Sequence, residues 1–397
     1  MVPALRKKYN EAYSSEKYEA FIAELNTLFP DALEFHIAET PVFVPKAFAA
    51  QMFDACEHII DRILCEDFKS LTDRAIPANE NIPNENSRPE ILVFDFGVCE
   101  NEQGEVNPQL IEMQGFPSLF GFQTVYPTLL KKHFDLDPGY SHFLGEYDAA
   151  SFTEDFRTLL FNGFKKEEVI LLEIKPHQQK TKIDFYCSEK LWGIRPTCIT
   201  EVFAEGDQLY YLNDGKKQRI RRIYNRVIFD ELNTVKDELL LRFNFTDAYD
   251  VEWFPHPNWF YRVSKFTLPL LKHPNIPDTQ FLNEVKEYPS DLENYVLKPL
   301  FSFAGQGVII DLTANDLTSI KDPHNWILQK KVNYKAVIET PDEPAKAEIR
   351  IMYIWKPEWN RPKPAINLAR LSKGKMIGVR YNQNKTWVGG TVGLIEK

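Results

Sequence analysis

The feature that most constrains the fold is a strand–turn–strand segment that carries acidic side chains. Residues 91–98 form an apolar strand sequence with Asp95 in its middle, and after a polar turn residues 109–114 contain Glu112 and Gln114. Side chains two positions apart in a strand share a face, so Glu112 and Gln114 should point the same way. The pattern predicts a β-hairpin. Carboxylates on a hairpin are usually solvated surface groups, but oxygen ligands grouped on one face also suit Mg²⁺.

Length and charge exclude several functional classes. The 397 residues are enough for about two or three domains. A composition with 44% hydrophobic and 26% charged residues is that of a globular protein rather than a disordered one. The net charge of −10 argues against a nonspecific nucleic-acid surface, which needs dense basic patches. The basic cluster at 216–222 is better explained as a solvated turn leading into a strand than as a polyanion site.

Cysteine and apolar patterns bear on the compartment. The five cysteines form no CxxC pair and the eight histidines form no HExxH pattern. This argues for reduced thiols and against a metal site built from thiolates or imidazoles. No stretch reaches the roughly 20 apolar residues of a membrane span, and the first residues lack the apolar run of a signal peptide. We therefore expect a cytoplasmic protein without a membrane partner.

Apolar spacing divides the chain into regions of different structure. Residues 1–90 are predicted to be mostly helical, because apolar residues recur at helical spacing at 21–28 and 48–63. Between 150 and 235 the pattern alternates, which predicts an α/β layer. Its predicted strands are 168–174, 183–187, 199–203, two that flank Asn213-Asp-Gly, and 222–229, with a helix before 199. Beyond 236 we predict short helices at 265–271 and 281–286, and strands at 295–298, 308–311, 326–332, 347–355, 365–372, 375–380 and 391–395.

A lysine and two glycines stand together in the C-terminal half. The strand at 295–298 ends in Lys298-Pro and leads into a short loop with Gly305 and Gly307. The loop lacks the GK[ST] of a Walker A sequence and the third glycine of a dinucleotide fingerprint. A glycine-containing hairpin loop can still offer backbone N–H groups to phosphates, and a lysine adds a point charge. An ordinary hairpin with a lysine on its edge strand explains the segment equally well.

Two flanking segments complete this pattern. Lys265 begins a predicted helix, where a solvated surface charge is by itself the commoner role. The strand at 326–332 turns polar at Gln329-Lys330, so it can present polar groups to the edge of an adenine. Together with the Lys298 loop, these segments resemble the nucleotide half of the ATP-grasp superfamily. The resemblance implies that the two lysines contact ATP phosphates, that the loop at 301–307 covers them, and that the strand binds adenine. The residues concerned are Lys265, Lys298, Ser302, Gly305, Gln306, Gly307, Gln329, Lys330 and Val332.

The C-terminal region extends the resemblance. The sequences Leu-Ala-Arg370-Leu-Ser and Gly-Val-Arg380-Tyr-Asn, followed by Gly389-Gly390, are similar to a stretch of the glutathione synthetases. Arg350 lies on the predicted strand before them. The resemblance implies that Arg350, Arg370 and Arg380 hold the transferring phosphate, a task that suits a planar bidentate donor. Without the resemblance, arginines on strands are simply surface charges.

The acidic hairpin supplies what this resemblance otherwise lacks. ATP-grasp enzymes normally end with an Asp and a Glu-x-Asn that bind two Mg²⁺, and no such pair follows Arg380. Asp95 and the run Glu112-Met-Gln114-Gly-Phe-Pro-Ser resemble that pair, in the order of glutathionylspermidine synthetase and related circularly permuted ATP-grasp proteins. The resemblance implies that Asp95, Glu112 and Gln114 hold the metal. Gln114 departs from the family's Asn, and Val93 stands where the nearest relatives carry an Arg, which puts the metal geometry and the relatives' substrate in doubt.

The fold implied is a mixed α/β, circularly permuted ATP-grasp fold. Its expected division is a helical region at 1–90, the metal-ligand hairpin of the ATP-grasp domain at 91–135, an α/β domain at 140–235, a small subdomain with the lysine and glycine loop at 236–330, and a large subdomain at 331–397. The hairpin should then lie in one sheet with the strands at 365–372 and 375–380.

The function implied is ATP-dependent formation of a C–N bond. ATP with two Mg²⁺ ions would convert a small-molecule carboxylate to an acyl phosphate, which an amine would attack, with release of ADP and phosphate. An amino acid, a peptide or a polyamine-like compound fits this reaction class as substrate. Two alternatives stay open: a nucleotide-binding relative without ligase activity, which the Gln114 substitution favours, and a kinase on the same scaffold.

Overall fold

The helices lie mainly in the first two thirds of the chain. The computed structural model describes residues 1–301, 307–374, 377 and 382–397. Its α-helices are α1 (Pro3–Ala12), α2 (Ser15–Leu28), α3 (Lys46–Leu64), α4 (Phe68–Thr72), α5 (Phe120–His133), α6 (Ala149–Phe161), α7 (Lys182–Trp192), α8 (Phe229–Val235), α9 (Asn258–Arg262) and α10 (Ala314–Ser319). No helix in this part of the chain has both the length and the apolarity needed to cross a bilayer.

The strands form five sheets within the described residues. They are β1 (Val42–Val44), β2 (Ile91–Glu100), β3 (Val106–Gln114), β4 (Tyr140–Ser141), β5 (Val169–Glu173), β6 (Arg195–Cys198), β7 (Phe203–Glu205), β8 (Gln208–Asn213), β9 (Lys216–Ile220), β10 (Arg222–Asn225), β11 (Glu252–Phe254), β12 (Thr279–Phe281), β13 (Tyr295–Pro299), β14 (Trp326–Lys330), β15 (Lys346–Ile354), β16 (Lys363–Ser372), β17 (Gly389–Thr391) and β18 (Gly393–Glu396).

The acidic hairpin is part of the largest of these sheets. The sheet has the order β17-β16-β15-β2-β3 and is antiparallel throughout. All but the last residue of β2 is buried, which requires a partner on each side of the strand. The expectation that the hairpin shares a sheet with the strand at 365–372 is therefore confirmed. Most of the strand predicted at 375–380 lies outside the described residues.

A parallel sheet of order β11-β10-β5-β6 forms the predicted α/β layer. The prediction of a strand at 183–187 is wrong, because this segment belongs to α7. Ile183, Phe185 and Cys187 alternate as in a strand, but the buried side chains include Asp184 and Ser188, which fits helical spacing. The strand predicted at 199–203 lies earlier, as β6, and is followed by a single 3₁₀ turn.

Other expectations are met in part. The helical prediction for 1–90 is confirmed by α1 to α4, but the region also contributes β1, which pairs in parallel with β18 near the other end of the chain. The predicted helices at 265–271 and 281–286 are short 3₁₀ segments instead, which is consistent with Pro269 inside the first. The predicted strand at 308–311 forms only one bridge, between Leu297 and Ile309.

A buried ion pair ties the α/β layer to the helix that follows the hairpin. Arg226, just after β10, lies 2.5 Å from Asp184 Oδ2, and Asp184 Oδ1 accepts a hydrogen bond of 2.9 Å from the backbone N–H of Phe122. α5 and α7 approach closely, since a Cβ on Gly121 would stand 2.6 Å from Ser188 Oγ. Asp184 therefore fixes the start of α5 relative to the parallel sheet.

This ion pair gives a stability prediction. Asp184→Asn keeps the side-chain volume but leaves the Arg226 guanidinium buried without a counter-charge. We expect a loss of about 3–5 kcal/mol in the free energy of unfolding, measured by urea denaturation. Glu154→Gln, in an exposed pair with Arg157, should leave the midpoint almost unchanged. Equal midpoints for the Asp184 variant and the wild type would contradict the role given to the pair.

Candidate functional site

Four strands bring charged residues from distant parts of the chain side by side. Across β15, β2 and β3 the register aligns Arg350 with Asp95 and Asp95 with Glu112. Across β16 and β15 it aligns Arg370 with Glu348. Glu348 and Arg350 are two positions apart and so share one face of β15. One face of the sheet therefore carries a block of three carboxylates and two guanidinium groups.

Asp95 is the most heavily bonded member of this block. Arg350 donates to its two carboxylate oxygens from Nε (2.6 Å) and Nη2 (2.5 Å), and Arg370 donates from Nη2 to Oδ2 at 3.0 Å. Arg350 also donates from Nη1 to Ser118 Oγ at 2.5 Å. Burial would raise the pKa of the Asp95 carboxyl, but Arg350 and then Arg370 bring that pKa below its ordinary value.

Glu348 is a member of the block to which the sequence analysis gave no role. It lies 2.8 Å from Arg370 Nη2 and also accepts a hydrogen bond from the Tyr334 hydroxyl. Burial raises the pKa of its carboxyl above the ordinary value. The Tyr334 ring lies against Gly97 of β2, where an added Cβ would stand 2.8 Å from Cε1. The signal available in the sequence was the spacing of two between Glu348 and Arg350.

The two predicted lysines lie near Glu112. Burial lowers the pKa of Lys298 and lowers that of Lys265 to about 8, while Glu112 partly offsets the effect at each lysine. Glu112, Gln114 and Lys265 line one small cavity, together with residues of α9 and the end of β13. The cavity has a volume of about 40 Å³, which is room for about one water molecule.

The strand predicted to bind adenine lies next to β13. Gln329 of β14 is buried, and its side-chain Nε2 donates to Thr279 Oγ1 at 2.9 Å, so the side chain holds β12 to β14. Lys330 is exposed, 3.5 Å from Glu102, and Val332 follows the end of the strand. Gly307 has a φ of 72°, the left-handed region that glycine tolerates best. Four predicted site residues lie outside the described residues: Ser302, Gly305, Gln306 and Arg380.

The comparisons with known proteins support the fold. No protein-family model and no curated protein matches this chain. Its structure is similar to that of a glutathione synthetase-like effector from Globodera pallida in the apo form, with a TM-score of 0.57 and 9% sequence identity. The match covers 97% of this chain and 98% of the other. The chain therefore has a glutathione synthetase-like fold, so the sequence resemblance is confirmed as far as the fold is concerned.

The residues predicted to bind a metal differ in their availability. The Asp95 carboxylate accepts three hydrogen bonds from arginines, whereas the side chains of Glu112 and Gln114 make no hydrogen bond to the described residues. The described part of the chain also contains no cluster of three or more His, Cys, Asp or Glu side chains arranged to hold a metal ion. Mg²⁺ is commonly held by one or two carboxylates together with phosphate oxygens and water. Glu112 and Gln114 fit such a site, and Asp95 does not.

One further acidic residue lines this cavity and a second contacts a lining residue, and both were missed in the sequence. Asp230, in the first turn of α8, lines it, and burial and then Glu80 raise the pKa of its carboxyl, while Lys265 lowers that pKa. Glu80 in turn accepts a hydrogen bond from the Tyr261 hydroxyl. Neither residue stands in a recognisable sequence pattern. They come from distant parts of the chain, and only the tertiary fold brings them together.

A wider cleft does not share these features. It has a volume of about 910 Å³ and has no lining residue in common with the cavity around Lys265. Its Arg222 is already bonded to the carbonyl oxygens of Leu159 and Leu160 and to Glu252. We therefore place the candidate site at the lysines and the acidic hairpin rather than in the wider cleft.

The lowered pKa of Lys265 predicts a pH dependence. A lysine with a pKa of about 8 is charged below pH 8 and neutral above it, so its contribution to anion binding is present at pH 7 and lost by pH 9. We expect the affinity for pyrophosphate, measured by calorimetry, to fall up to about tenfold more over this range in the wild type than in Lys265→Arg, which stays charged. The ligand's own titration is the same for both proteins. Identical pH profiles would show that Lys265 does not contact the anion.

Proposed function

We propose that the protein is an ATP-dependent ligase that joins a carboxylate to an amine through an acyl phosphate. The observation that carries the proposal is the grouping of two lysines and two arginines around the carboxylates of the acidic hairpin, Asp95 and Glu112, in a chain with a glutathione synthetase-like fold. The lysines are Lys265 and Lys298, and the arginines are Arg350 and Arg370. Lys265, Lys298 and Arg370 suit a polyphosphate whose charge shifts during transfer, while Arg350 is held by Asp95.

The reaction needs positioning more than covalent help from the protein. A carboxylate oxygen attacks the γ-phosphorus of ATP, the bond from that phosphorus to the bridging oxygen breaks, and ADP leaves. The amine then attacks the acyl carbon, the C–O bond to phosphate breaks, and the amine gives up a proton. In this scheme Lys265 and Lys298 bind the phosphates of ATP, and Arg370 stabilises the transferring group.

The order of the elements is consistent with a permuted ATP-grasp domain. The hairpin β2–β3 comes early in the chain but occupies the sheet next to β15, whose Arg350 is paired with Asp95. The proposal therefore assigns to this hairpin the place that the C-terminal acidic strands hold in unpermuted relatives. We also propose that the backbone at Val332, just past the end of β14, binds adenine, because β14 itself is paired with β12 on one side and β13 on the other and the Gln329 side chain is engaged by Thr279.

The proposed cofactors are ATP and Mg²⁺. Glu112 and Gln114 would hold Mg²⁺ against the phosphate oxygens, and the ion would supply charge neutralisation there. Asp230, which lines the cavity, and Glu80 behind Tyr261 favour a cationic amine as the second substrate, such as an amino acid, a peptide amine or a polyamine.

ATP is far larger than the cavity described, so the elements around it must separate when the nucleotide enters. The unit formed by β12, β13 and β14 packs partly on a small core of its own, made of Leu282, Leu297, Leu312, Leu317 and Leu328, which allows it to move as a body. Small-angle X-ray scattering should therefore detect a change in the radius of gyration when a nonhydrolysable ATP analogue is added. An unchanged curve at saturating analogue would contradict this mode of entry.

A lysine variant tests the nucleotide site. Removing the charge of Lys298 deletes a charge-assisted contact to phosphate worth about 1.5–3 kcal/mol. Lys298→Ala should therefore weaken ATP binding about tenfold or more in calorimetry. The matched control is Lys272→Ala, because Lys272 is exposed and paired with Asp278. Equal ATP affinities for the Lys298 variant and the control would show that Lys298 does not contact the phosphates of ATP.

Product analysis separates the ligase from its two alternatives. A ligase releases ADP and free phosphate only when both a carboxylate and an amine are present. A kinase releases ADP while the phosphate stays on the acceptor, and a nucleotide-binding relative without activity releases neither. A screen of amino acids, short peptides and polyamines, with ADP and phosphate measured together, distinguishes the three. Nucleotide binding without ADP release under any pair would reject the ligase.

A further inference from the structure

We infer that Asp95 is a positioning residue that anchors the two arginines of the site, and that it does not bind the metal. The inference rests on the proposed function, because it divides the roles of that same site. It also gives different roles to Asp95 and Glu112, which are paired in register on neighbouring strands. The family resemblance implies that both are metal ligands.

The hydrogen bonds of Asp95 leave little room for a cation. A carboxylate has about four lone-pair positions on its two oxygens. Three are used, two by Arg350 in a bidentate contact and one by Arg370, and the Asp95 side chain is only 3% exposed. A Mg²⁺ ion about 2.0–2.1 Å from either oxygen would lie beside a guanidinium bonded to that same oxygen. The repulsion between these like charges, poorly screened in a buried site, favours the arginine contact over the ion.

Arg350 makes three hydrogen bonds within the site, as many as the Asp95 carboxylate accepts from arginines. Its Nε and Nη2 are taken by Asp95 and its Nη1 by Ser118, which stands just before α5, and its side chain is 13% exposed. A guanidinium held on three nitrogens cannot turn toward a ligand without breaking one of these bonds. Arg350 therefore links β15 to the segment between β3 and α5 and keeps Asp95 in a fixed orientation.

Arg370 is held differently and is the arginine left for the substrate. Both of its acidic partners, Asp95 and Glu348, contact a single nitrogen, Nη2, at 3.0 and 2.8 Å. Its Nε has no partner among the described residues, its Nη1 makes no hydrogen bond to them, and its side chain is 38% exposed. Asp95 and Glu348 thus fix Nη2 and leave Nη1 as the donor for an anion, because Nε is buried.

Glu112 has the opposite character. It is in register with Asp95 on the neighbouring strand, but it makes no ion pair with an arginine among the described residues, and it lines the cavity with Gln114. Its charge acts on both lysines, Lys265 and Lys298. The two carboxylates therefore have different roles. Asp95 orients Arg350 and Arg370, and Glu112 lines the cavity in which the ligands are proposed to bind.

The test compares Asp95→Asn with Glu112→Gln by two measurements. The first is the affinity for Mn²⁺ in the presence of ADP, followed by the electron paramagnetic resonance signal of free Mn²⁺. We expect Asp95→Asn to stay within about threefold of the wild type and Glu112→Gln to lose at least about tenfold. The second is the affinity for pyrophosphate in EDTA, which should fall about fivefold in Asp95→Asn, because Arg370 loses its orientation, and stay unchanged or rise in Glu112→Gln. A loss of Mn²⁺ affinity in Asp95→Asn equal to that in Glu112→Gln would overturn the inference.

A second variant covers the case in which Asp95→Asn does not fold. Arg350→Lys keeps the positive charge but gives up the bidentate contact that orients the Asp95 carboxylate. We expect its affinity for pyrophosphate in EDTA to fall about as in Asp95→Asn, because Asp95 and with it Arg370 lose their orientation; an unchanged affinity would overturn the anchoring role. Failure of the proposed function has a distinct signature: the wild type would bind neither ADP nor pyrophosphate, while the apo melting temperature in EDTA would still fall in Asp95→Asn and not in Glu112→Gln. Equal apo melting temperatures in that case would reject the anchoring role as well.

Discussion

The contact between Asp95 and Arg350 is the interaction on which the arrangement of the site depends. The two residues are 255 positions apart in the chain and face each other across β2 and β15. Because β2 and β15 are antiparallel and in register there, this one pair fixes which face of each strand points to the site. β3 then places Glu112 next to Asp95, and β16 places Arg370 next to Glu348. A slip of one residue would turn both carboxylates of the hairpin to the opposite face.

Local chemistry explains which parts of the fold could be read from the sequence. The hairpin β8–β9 was predicted from Asn213-Asp-Gly, and its turn places Asp214 and Gly215 at positive φ, as such turns require. The hairpin β2–β3 was predicted because its strands and turn are contiguous. α7 was misread because Ile183, Phe185 and Cys187 alternate like a strand, and only their helical neighbours reveal the true period. The pairing of β1 with β18 could not be predicted, because strands of three or four residues at opposite ends of a chain carry no register signal of their own.

At the site, too, the sequence indicated which residues matter but not which of them contact each other. The sequence resemblance pointed to Lys265, Lys298 and the arginines, and the structure brings Lys265, Lys298, Arg350 and Arg370 together with the acidic hairpin. What the sequence could not supply was the pairing among them. The engagement of Asp95 by two arginines follows from strand register across the central sheet. The approach of Tyr334 to Glu348 depends on the absence of a side chain at Gly97.

The charge balance of the block explains why so many ionisable groups are tolerated at a partly buried site. Two lysines and two arginines stand against the three carboxylates Asp95, Glu112 and Glu348, so full ionisation leaves one positive charge. Burial alone would make each isolated ion costly, and direct pairing offsets that cost for the arginines. Burial lowers the pKa of both lysines, and the nearby Glu112 carboxylate offsets part of that effect. A phosphate anion entering next to them would restore their charged form, so binding of the anion and protonation of the lysines favour each other. Arg350 and Arg370 are already paired with Asp95 and Glu348, so their geometry can stay unchanged while the protonation of the lysines changes with the ligand.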